Sequence, residues 1–459
     1  MKVTLLPGGA KDMTHGASPV KAIPSKSHLH RLLILASLAN NKSLTSERTQ
    51  ICFEHSQAED IKATADCLSA LGAGIETLED GFLVTPIDRQ KLPAKALLPC
   101  MESGSTLRFM LPVVCALGVT GEFVMAGRLP ERPLAPLDTE LSRNGIHLWR
   151  PNPNSLHCEG KLAAGKYTLP GNISSQYISG LLMALPLLEK DSSLTVEGPV
   201  ESADYIAMTL QAVEAFGLKI GTGASNNREP IPDAPIPSPQ SQILIPGGIG
   251  FTSPGKINAE GDWSNAAFWL CAGAMPGGNI EMSGLNRQSA QGDREVCAIL
   301  ERMGARLTWE PPSPPKESLL RVSEGGRRGV EIDARTIPDL VPVLCAVAAV
   351  SAGETIVKNA ERLRLKESDR LAATAQTLNA LGANVKEEPG GLRIQGVEGL
   401  RGGEVDAWGD HRIAMMAAIA SLACKDPVTI TGAQAVRKSY PAFWEKFGGL
   451  GKKIILSSD

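Results

Sequence analysis

Aromatic side chains are scarce in this chain. Phe, Trp and Tyr together make up 4% of 459 residues, so a core has to be mostly aliphatic. An excess of one charge is also missing: 46 Lys and Arg face 49 Asp and Glu, a formal net charge of −3. A nucleic-acid coat protein or a polybasic membrane binder would be far more cationic. Long apolar runs are absent. The longest, such as residues 340–350, fall well short of the ~18–20 residues that a spanning helix requires. The first ten residues hold one Lys and no apolar stretch of the secretory kind, so a cytoplasmic location is expected.

Metal and nucleotide signatures are lacking too. The nine cysteines are odd in number and contain no C-x-x-C pair, and the seven histidines show no ligand spacing with them. Reduced, buried thiols are the expectation, and no metal. There is no G-x-x-x-x-G-K-[ST], no well-placed G-x-G-x-x-G, no G-x-S-x-G and no H-E-x-x-H.

What is present is enough apolar material (43%, against 21% charged) for a large core, and a repeat. An amphipathic helix tail, a Gly and a strand-like start recur as Leu-Gly-Ala-Gly-Ile at 71–75, Asn-Gly-Ile-His-Leu at 144–148 and Phe-Gly-Leu-Lys-Ile at 216–220. They return as Met-Gly-Ala-Arg-Leu at 303–307, Leu-Gly-Ala-Asn-Val at 381–385 and, more loosely, Phe-Gly-Gly-Leu at 447–450. Gly at such a place is the left-handed residue that stops a helix. In antiphase run six capped helices, apolar almost all round and therefore buried. They begin near Ser25-Lys26-Ser27, Ser103-Gly104-Ser105, Ser174-Ser175-Gln176, Asp262-Trp263-Ser264, Pro338-Asp339 and Asp410-His411. The chain thus reads as six copies of one α/β unit of roughly 75 residues, too much for one core and naturally parted into two lobes of three. The proline-rich stretch 226–250 reads as an insertion or linker-like loop near the midpoint.

Helix N-termini carry unpaired N–H groups and a partial positive charge, so each is a ready anion site. Several of these starts add cations or hydroxyls: Lys26, Ser27 and Arg31; Ser105 and Arg108; Ser174, Ser175 and Gln176; His411 and Arg412. If the units point these ends into one cleft, it binds several anions. In residues 361–370, Arg362, Arg364 and Lys366 share one face if the segment is a strand entering a helix, although alone it reads as a solvated charged face. Arg128 and Arg132 lie in a rigid turn, and Arg suits a two-pronged grip on carboxylate or phosphate.

With these residues assembled, the chain resembles the 3-phosphoshikimate 1-carboxyvinyltransferase (EPSP synthase) family of enolpyruvyl transferases over essentially its whole length. The matches come in order: Pro24-Ser25-Lys26-Ser27 with Arg31; Ser103-Gly104-Ser105-Thr106-Leu107-Arg108; Glu131-Arg132-Pro133; Ser174-Ser175-Gln176; and Ser202 with Tyr205. They continue through Gly261-Asp262, Ile337-Pro338-Asp339, Leu365-Lys366-Glu367-Ser368-Asp369-Arg370, Asp410-His411-Arg412-Ile413-Ala414-Met415 and Lys438-Ser439-Tyr440-Pro441.

The resemblance implies a two-lobed inside-out α/β barrel of six repeated α/β units, three per lobe. Residues 25–255 would form the first lobe and residues 1–24 plus 256–459 the second, with the active site in the cleft between them. It implies transfer of the enolpyruvyl group of phosphoenolpyruvate to the 5-hydroxyl of shikimate 3-phosphate, on the route to chorismate and aromatic amino acids, by a monomer without cofactor, metal, nucleic acid or membrane. Carried over residue by residue, shikimate 3-phosphate would meet Lys26, Ser27, Arg31, Ser174, Ser175, Gln176, Ser202, Tyr205, Asp339, Arg362 and Lys366. Phosphoenolpyruvate would meet Lys26, Gly104, Arg132, Gln176, Arg370, His411, Arg412 and Lys438. Asp339 would take the 5-hydroxyl proton and Glu367 would serve proton transfer at C3, with Lys26 and His411 as alternative proton carriers. Asp339 is also a natural helix N-cap. The acids that offset these cations are expected elsewhere, mostly on the outer surface.

Two positions depart from the family pattern: Glu102 and Arg362 stand where Asn is common. The nearest alternative is a UDP-N-acetylglucosamine enolpyruvyl transferase, but the loop 126–132 lacks the Cys typical of that family. A non-catalytic anion or RNA-end binder would need the cations without Asp339 and Glu367.

Overall fold

The computed structural model describes residues 1–7, 19–39, 48–54, 58–222, 241–310, 318–449, 451 and 453–457. The fold is α/β, with six four-stranded sheets among its described residues. All six share one pairing scheme. An edge strand runs parallel to its neighbour, and two antiparallel pairings follow. In one sheet Lys95–Met101 is parallel to Thr120–Met125, which pairs with Ser155–Gly160, which pairs with Ile146–Asn152.

Three sheets use consecutive segments and three borrow a strand from afar. Val20–Lys21, just before the first buried helix, joins Asn279–Ser283 in a sheet late in the chain. Lys256–Asn258, just before the Trp263–Ala274 helix, joins Thr49–Cys52 in an early one. Lys2–Leu5 sits between Val428–Thr431 and Ile454–Ser457. The first two exchanges divide the chain by contact into two units of three sheets each. One holds Lys26–His55 and Glu59–Ala259, here the Lys26 unit. The other holds Met1–Ser25, Ser56–Ala58 and Glu260–Asp459, here the Asp339 unit.

Each unit buries three apolar helices. In the Lys26 unit these are Lys26–Leu38, Gly104–Leu117 and Ser175–Ala184; in the Asp339 unit, Trp263–Ala274, Val341–Ala348 and His411–Ala420. Every residue of Val341–Ala348 is buried, and each such Val, Leu or Ile contributes ~1.5–3 kcal/mol on leaving water. Ser103, Ser174, Asp262 and Asp410 cap their helices, each accepting from a backbone N–H of the first turn. Asp339 does not cap. The N-cap of Val341–Ala348 is Leu340, which leaves the Asp339 carboxylate free for other partners. The helix-stopping glycines 72, 145, 217, 304 and 382 all have positive φ. The sixth differs: Gly448 lies inside the Phe443–Gly449 helix, and the left-handed residue is Gly451.

The loop expected at 226–250 lies outside the described residues as far as 240. From there Ser241–Ile245 is a strand paired with Ser192–Glu197, and 246–250 is loop as expected. The strand expected before the Arg370 helix is instead a 3₁₀ turn, Glu361–Leu365. Arg364 bonds Asp369 at 3.0 Å and Glu387 at 2.6 Å, so the alternating charge reflects local pairing rather than a shared cationic face.

Candidate active site

In the Lys26 unit the capped starts bring hydroxyls, amides and cations together. Lys26 opens its helix, and its Nζ lies 2.6 Å from Asp60 Oδ2. Arg31, one turn on, is 1% exposed and stacks over Phe109. Its Nε donates to Thr209 Oγ1, Nη1 to the Ser27 carbonyl, and Nη2 to Ser179 Oγ and the Tyr205 carbonyl. Four of its five N–H groups therefore meet the protein, and burial pulls its pKa down to about 10. Arg31 thus braces the Ser27 and Tyr205 backbones.

Ser103 caps Gly104–Leu117 at the next start. A Cβ on Gly104 would come within 2.7 Å of Arg132 Nη1 and 2.8 Å of Arg108 Nη1, so glycine lets two guanidiniums close over a helix N-terminus. Arg108 Nη1 donates to Gln176 Oε1 at 2.9 Å, and Gln176 Nε2 donates to Ser105 Oγ at 2.9 Å. That fixes which end of the Gln176 amide is which. Ser174 caps its own helix by accepting from the Gln176 N–H, and Ser175 is buried in the first turn. Ser202 precedes the Ala203–Ala215 helix at φ 54°, a region uncommon for a residue other than glycine. Glu102 turns its carboxylate onto Gly127: a Cβ there would lie 2.5 Å from the Glu102 Cδ.

Sequence reasoning missed a hydroxyl chain beneath this site. Nδ1 of His30 lies 2.7 Å from Thr64 Oγ1, which lies 2.7 Å from Thr106 Oγ1, and that hydroxyl donates to the capping Ser103 Oγ at 2.7 Å. Burial, helped by Lys26 and Arg31, holds the His30 pKa well below the usual imidazole value, so the ring is neutral. The signal was a His in an apolar helix, legible only once Thr64 and Thr106 are known to face it.

The Asp339 unit is organised by acids. Arg370, 1% exposed, opens the Arg370–Ala380 helix. Its Nε meets Asp410 Oδ2 at 2.8 Å, Nη1 meets Asp339 Oδ1 at 2.6 Å, and Nη2 meets Glu367 Oε2 at 2.6 Å. Burial disfavours its charge, but the carboxylates of Asp410, Glu367 and Asp339 outweigh burial and raise its pKa. Asp339 shows the mirror image. Burial alone would raise its pKa, yet Lys366, Arg412 and Arg370 hold it well below the usual carboxylate range. Lys366 Nζ is 3.6 Å from Asp339 Oδ1, and burial lowers the lysine's pKa. Arg412 reaches Asp339 twice, its Nη1 donating to the carbonyl at 3.2 Å and Nη2 lying 3.6 Å from Oδ2.

His411 is buried at the start of its helix, beside Arg412. Lys438 Nζ donates to the Gly409 carbonyl, two residues before His411. Arg362 Nη2 donates to the Arg335 carbonyl. Beyond Asp339 and Glu367, two acids to which the resemblance gave no role also stand among the cations rather than on the outer surface: Asp60 on Lys26 and Asp410 on Arg370. A cation desolvated without a counter-charge is too costly to keep, and this places the acids inside. Among the described residues no three His, Cys, Asp or Glu side chains form a metal-binding group, and no helix is long and apolar enough to cross a membrane.

The family model for EPSP synthase (3-phosphoshikimate 1-carboxyvinyltransferase) matches residues 14–447. The chain belongs to the EPSP synthase family. A 3-phosphoshikimate 1-carboxyvinyltransferase of Clostridium perfringens is 42% identical over 433 residues, covering 94% of this chain and 95% of the relative. The same-named protein of Clostridium acetobutylicum is 41% identical over 440 residues, 95% of each. In fold the chain is similar to EPSP synthase from Acinetobacter baumannii (TM-score 0.75, 24% identity, all of both chains). It is also similar to the enolpyruvyl transferase NikO from Streptomyces tendae (TM-score 0.70, 16% identity, 99% of this chain and 98% of that one).

Proposed function

We propose that this member of the EPSP synthase family transfers the enolpyruvyl group of phosphoenolpyruvate to the 5-hydroxyl of shikimate 3-phosphate. The products are 5-enolpyruvylshikimate 3-phosphate and inorganic phosphate, on the route to chorismate and the aromatic amino acids. The hydroxyl oxygen adds to C2 of phosphoenolpyruvate while C3 gains a proton. The tetrahedral adduct then loses phosphate and a C3 proton. Both substrates are polyanions, so holding them together takes several fixed donors, and the proton steps take a carboxylate among those donors.

The observation that carries this reading is Asp339, an acid kept ionised among Lys366, Arg370 and Arg412. A mere anion binder gains nothing from an acid there, whereas a base for the 5-hydroxyl has to be ionised at neutral pH. In this reading Lys26, Ser27, Ser174, Ser175, Gln176, Ser202 and Tyr205 hold shikimate 3-phosphate, with Arg31 bracing them and Arg362 and Lys366 adding charge. Lys26, Gly104, Arg132, Gln176, Arg370, His411, Arg412 and Lys438 hold phosphoenolpyruvate. Glu367, bonded to Arg370, serves proton transfer at C3. The protein acts as a monomer in the cytoplasm.

A coupled assay of phosphate release is the test. Phosphate should appear only when shikimate 3-phosphate and phosphoenolpyruvate are both present, without added metal or nucleotide. Equal release with UDP-N-acetylglucosamine as acceptor, or none with either, overturns the assignment.

A further inference from the structure

One buried titratable group takes no part in the reaction as drawn above. His30, in Lys26–Leu38, begins the hydroxyl chain that ends on Ser103. The whole chain is shut off from water: His30, Thr64 and Thr106 are 0% exposed and Ser103 is 1% exposed. It joins three helices, since Thr64 lies in Glu59–Ala70 and Thr106 in Gly104–Leu117.

The protons in this chain run one way. Ser103 Oγ, as the cap, offers a lone pair to the Thr106 N–H at 3.2 Å, and Thr106 Oγ1 donates to the same oxygen at 2.7 Å. A hydroxyl has a single proton. Thr106 gives its own to Ser103 and so accepts from Thr64; Thr64 gives its own to Thr106 and so accepts from the ring. In the neutral ring Nδ1 is therefore the N–H. Nε2, which has no partner among the described residues, is the bare lone pair. Without the ring's N–H the Thr64 hydroxyl is free to turn. Thr106 then swings its proton to its other acceptor, the Asp60 carbonyl at 3.3 Å, and the cap loses its shorter bond.

What depends on the cap is the start of Gly104–Leu117. Ser103 takes up the Thr106 N–H, which leaves the Gly104 and Ser105 N–H groups at the mouth of the helix for an anion. We propose that His30 is a positioning residue: its Nδ1–H, acting through Thr64 and Thr106, holds the Ser103 cap and with it the Gly104 helix start that meets phosphoenolpyruvate. The proposal rests on the reading of Gly104 as a ligand of that substrate. A buried polar chain fixes one orientation when each link is made, and a missing link loosens those beyond it.

Steady-state kinetics separate this role from packing alone. His30 shares its helix with Lys26, Ser27 and Arg31, so simple disruption of that helix would raise the KM for shikimate 3-phosphate. Loss of the chain acts at Gly104 instead. His30→Leu and Thr64→Val each remove one link and raise the KM for phosphoenolpyruvate about fivefold, while the KM for shikimate 3-phosphate stays within about twofold. His30→Asn, whose amide N–H stands in for Nδ1–H, brings the phosphoenolpyruvate KM back to within about twofold of wild type. The double variant His30→Leu with Thr64→Val is no worse than either single one, as expected of two links in one chain. A larger change in the KM for shikimate 3-phosphate, no rescue by Asn, or additive single effects would each overturn the proposal. Should His30→Leu fail to fold, the ¹⁵N NMR signals of the wild-type imidazole decide: a protonated Nδ1 supports the chain and a protonated Nε2 overturns it. Normal wild-type turnover with an unchanged phosphoenolpyruvate KM in Thr64→Val would overturn this inference alone. Absence of turnover in the wild-type protein would instead overturn the reaction assignment, and this inference with it.

Discussion

The two units hold their cations in different company. In the Lys26 unit Lys26 is paired with Asp60, but Arg31 and Arg108 sit in a neutral frame: hydroxyls and carbonyls surround Arg31, and an amide and the Pro133 carbonyl receive Arg108. In the Asp339 unit the frame is ionic, with Asp339, Glu367 and Asp410 gathered on Arg370. A neutral frame orients a cation while leaving its charge to act on an incoming anion. An ionic frame spends that charge on keeping acids deprotonated, and deprotonated acids can accept protons. Under the proposed function, the acids that would move protons, Asp339 and Glu367, both lie in the ionic frame, while Gln176 lies in the neutral one.

The largest expected effect tests that division. Asp339→Ala removes the ionised acid and lowers kcat by ~10²–10⁴, with modest change in either KM. Gln176→Ala, in the neutral frame, acts chiefly on KM. The pair is read by kcat and KM under saturation of one substrate at a time. If both variants show the same split, the contrast between frames has no functional content.

A smaller effect sharpens the binding side. Gly104→Ala puts a Cβ within 3 Å of guanidinium nitrogens of both Arg132 and Arg108. These are the far ends of flexible side chains, so the site yields rather than breaks. The KM for phosphoenolpyruvate rises roughly tenfold while kcat stays within a few-fold. A kcat loss as deep as that of Asp339→Ala would place proton chemistry in the Lys26 unit as well.

How much of this was legible in the sequence follows from range. The six capped, apolar helices were readable because caps and periodicity are local, and Ser103, Ser174, Asp262 and Asp410 do cap. The exchange of Val20–Lys21 and Lys256–Asn258 between sheets was not. Segments of two and three residues carry no period, and their partners lie more than two hundred residues away. The pairing of Arg364 with Glu387 imitates a strand's alternation while the backbone forms a 3₁₀ turn. Asp293 carries no local mark at all, since nothing in Gln-Gly-Asp-Arg-Glu at 291–295 says that this acid is buried. The family motifs supplied the order of the site residues, and only the fold shows which acid stands on which cation.

The last comparison is one of sign. Among the buried groups whose charge is disfavoured are His30 beneath the Lys26 site and Asp293 beside Asp339. His30 has a folded pKa well below its unfolded value of about 6.5. Its contribution to stability is complete above that value and is lost as pH falls, because the unfolded chain takes the proton first. Asp293 has a folded pKa of about 7, above its unfolded value of ~3.9. Its contribution is complete below ~3.9 and is lost as pH rises through about 7. Between pH ~4 and ~6.5 the two therefore oppose each other, each by up to ~1.4 kcal/mol per pH unit. Thermal unfolding of wild type, His30→Gln and Asp293→Asn across this window separates them. Relative to wild type, His30→Gln gives a stability that falls less on acidification, and Asp293→Asn one that falls more. Parallel curves for all three proteins would mean that neither ring nor carboxyl is held in the form its burial favours.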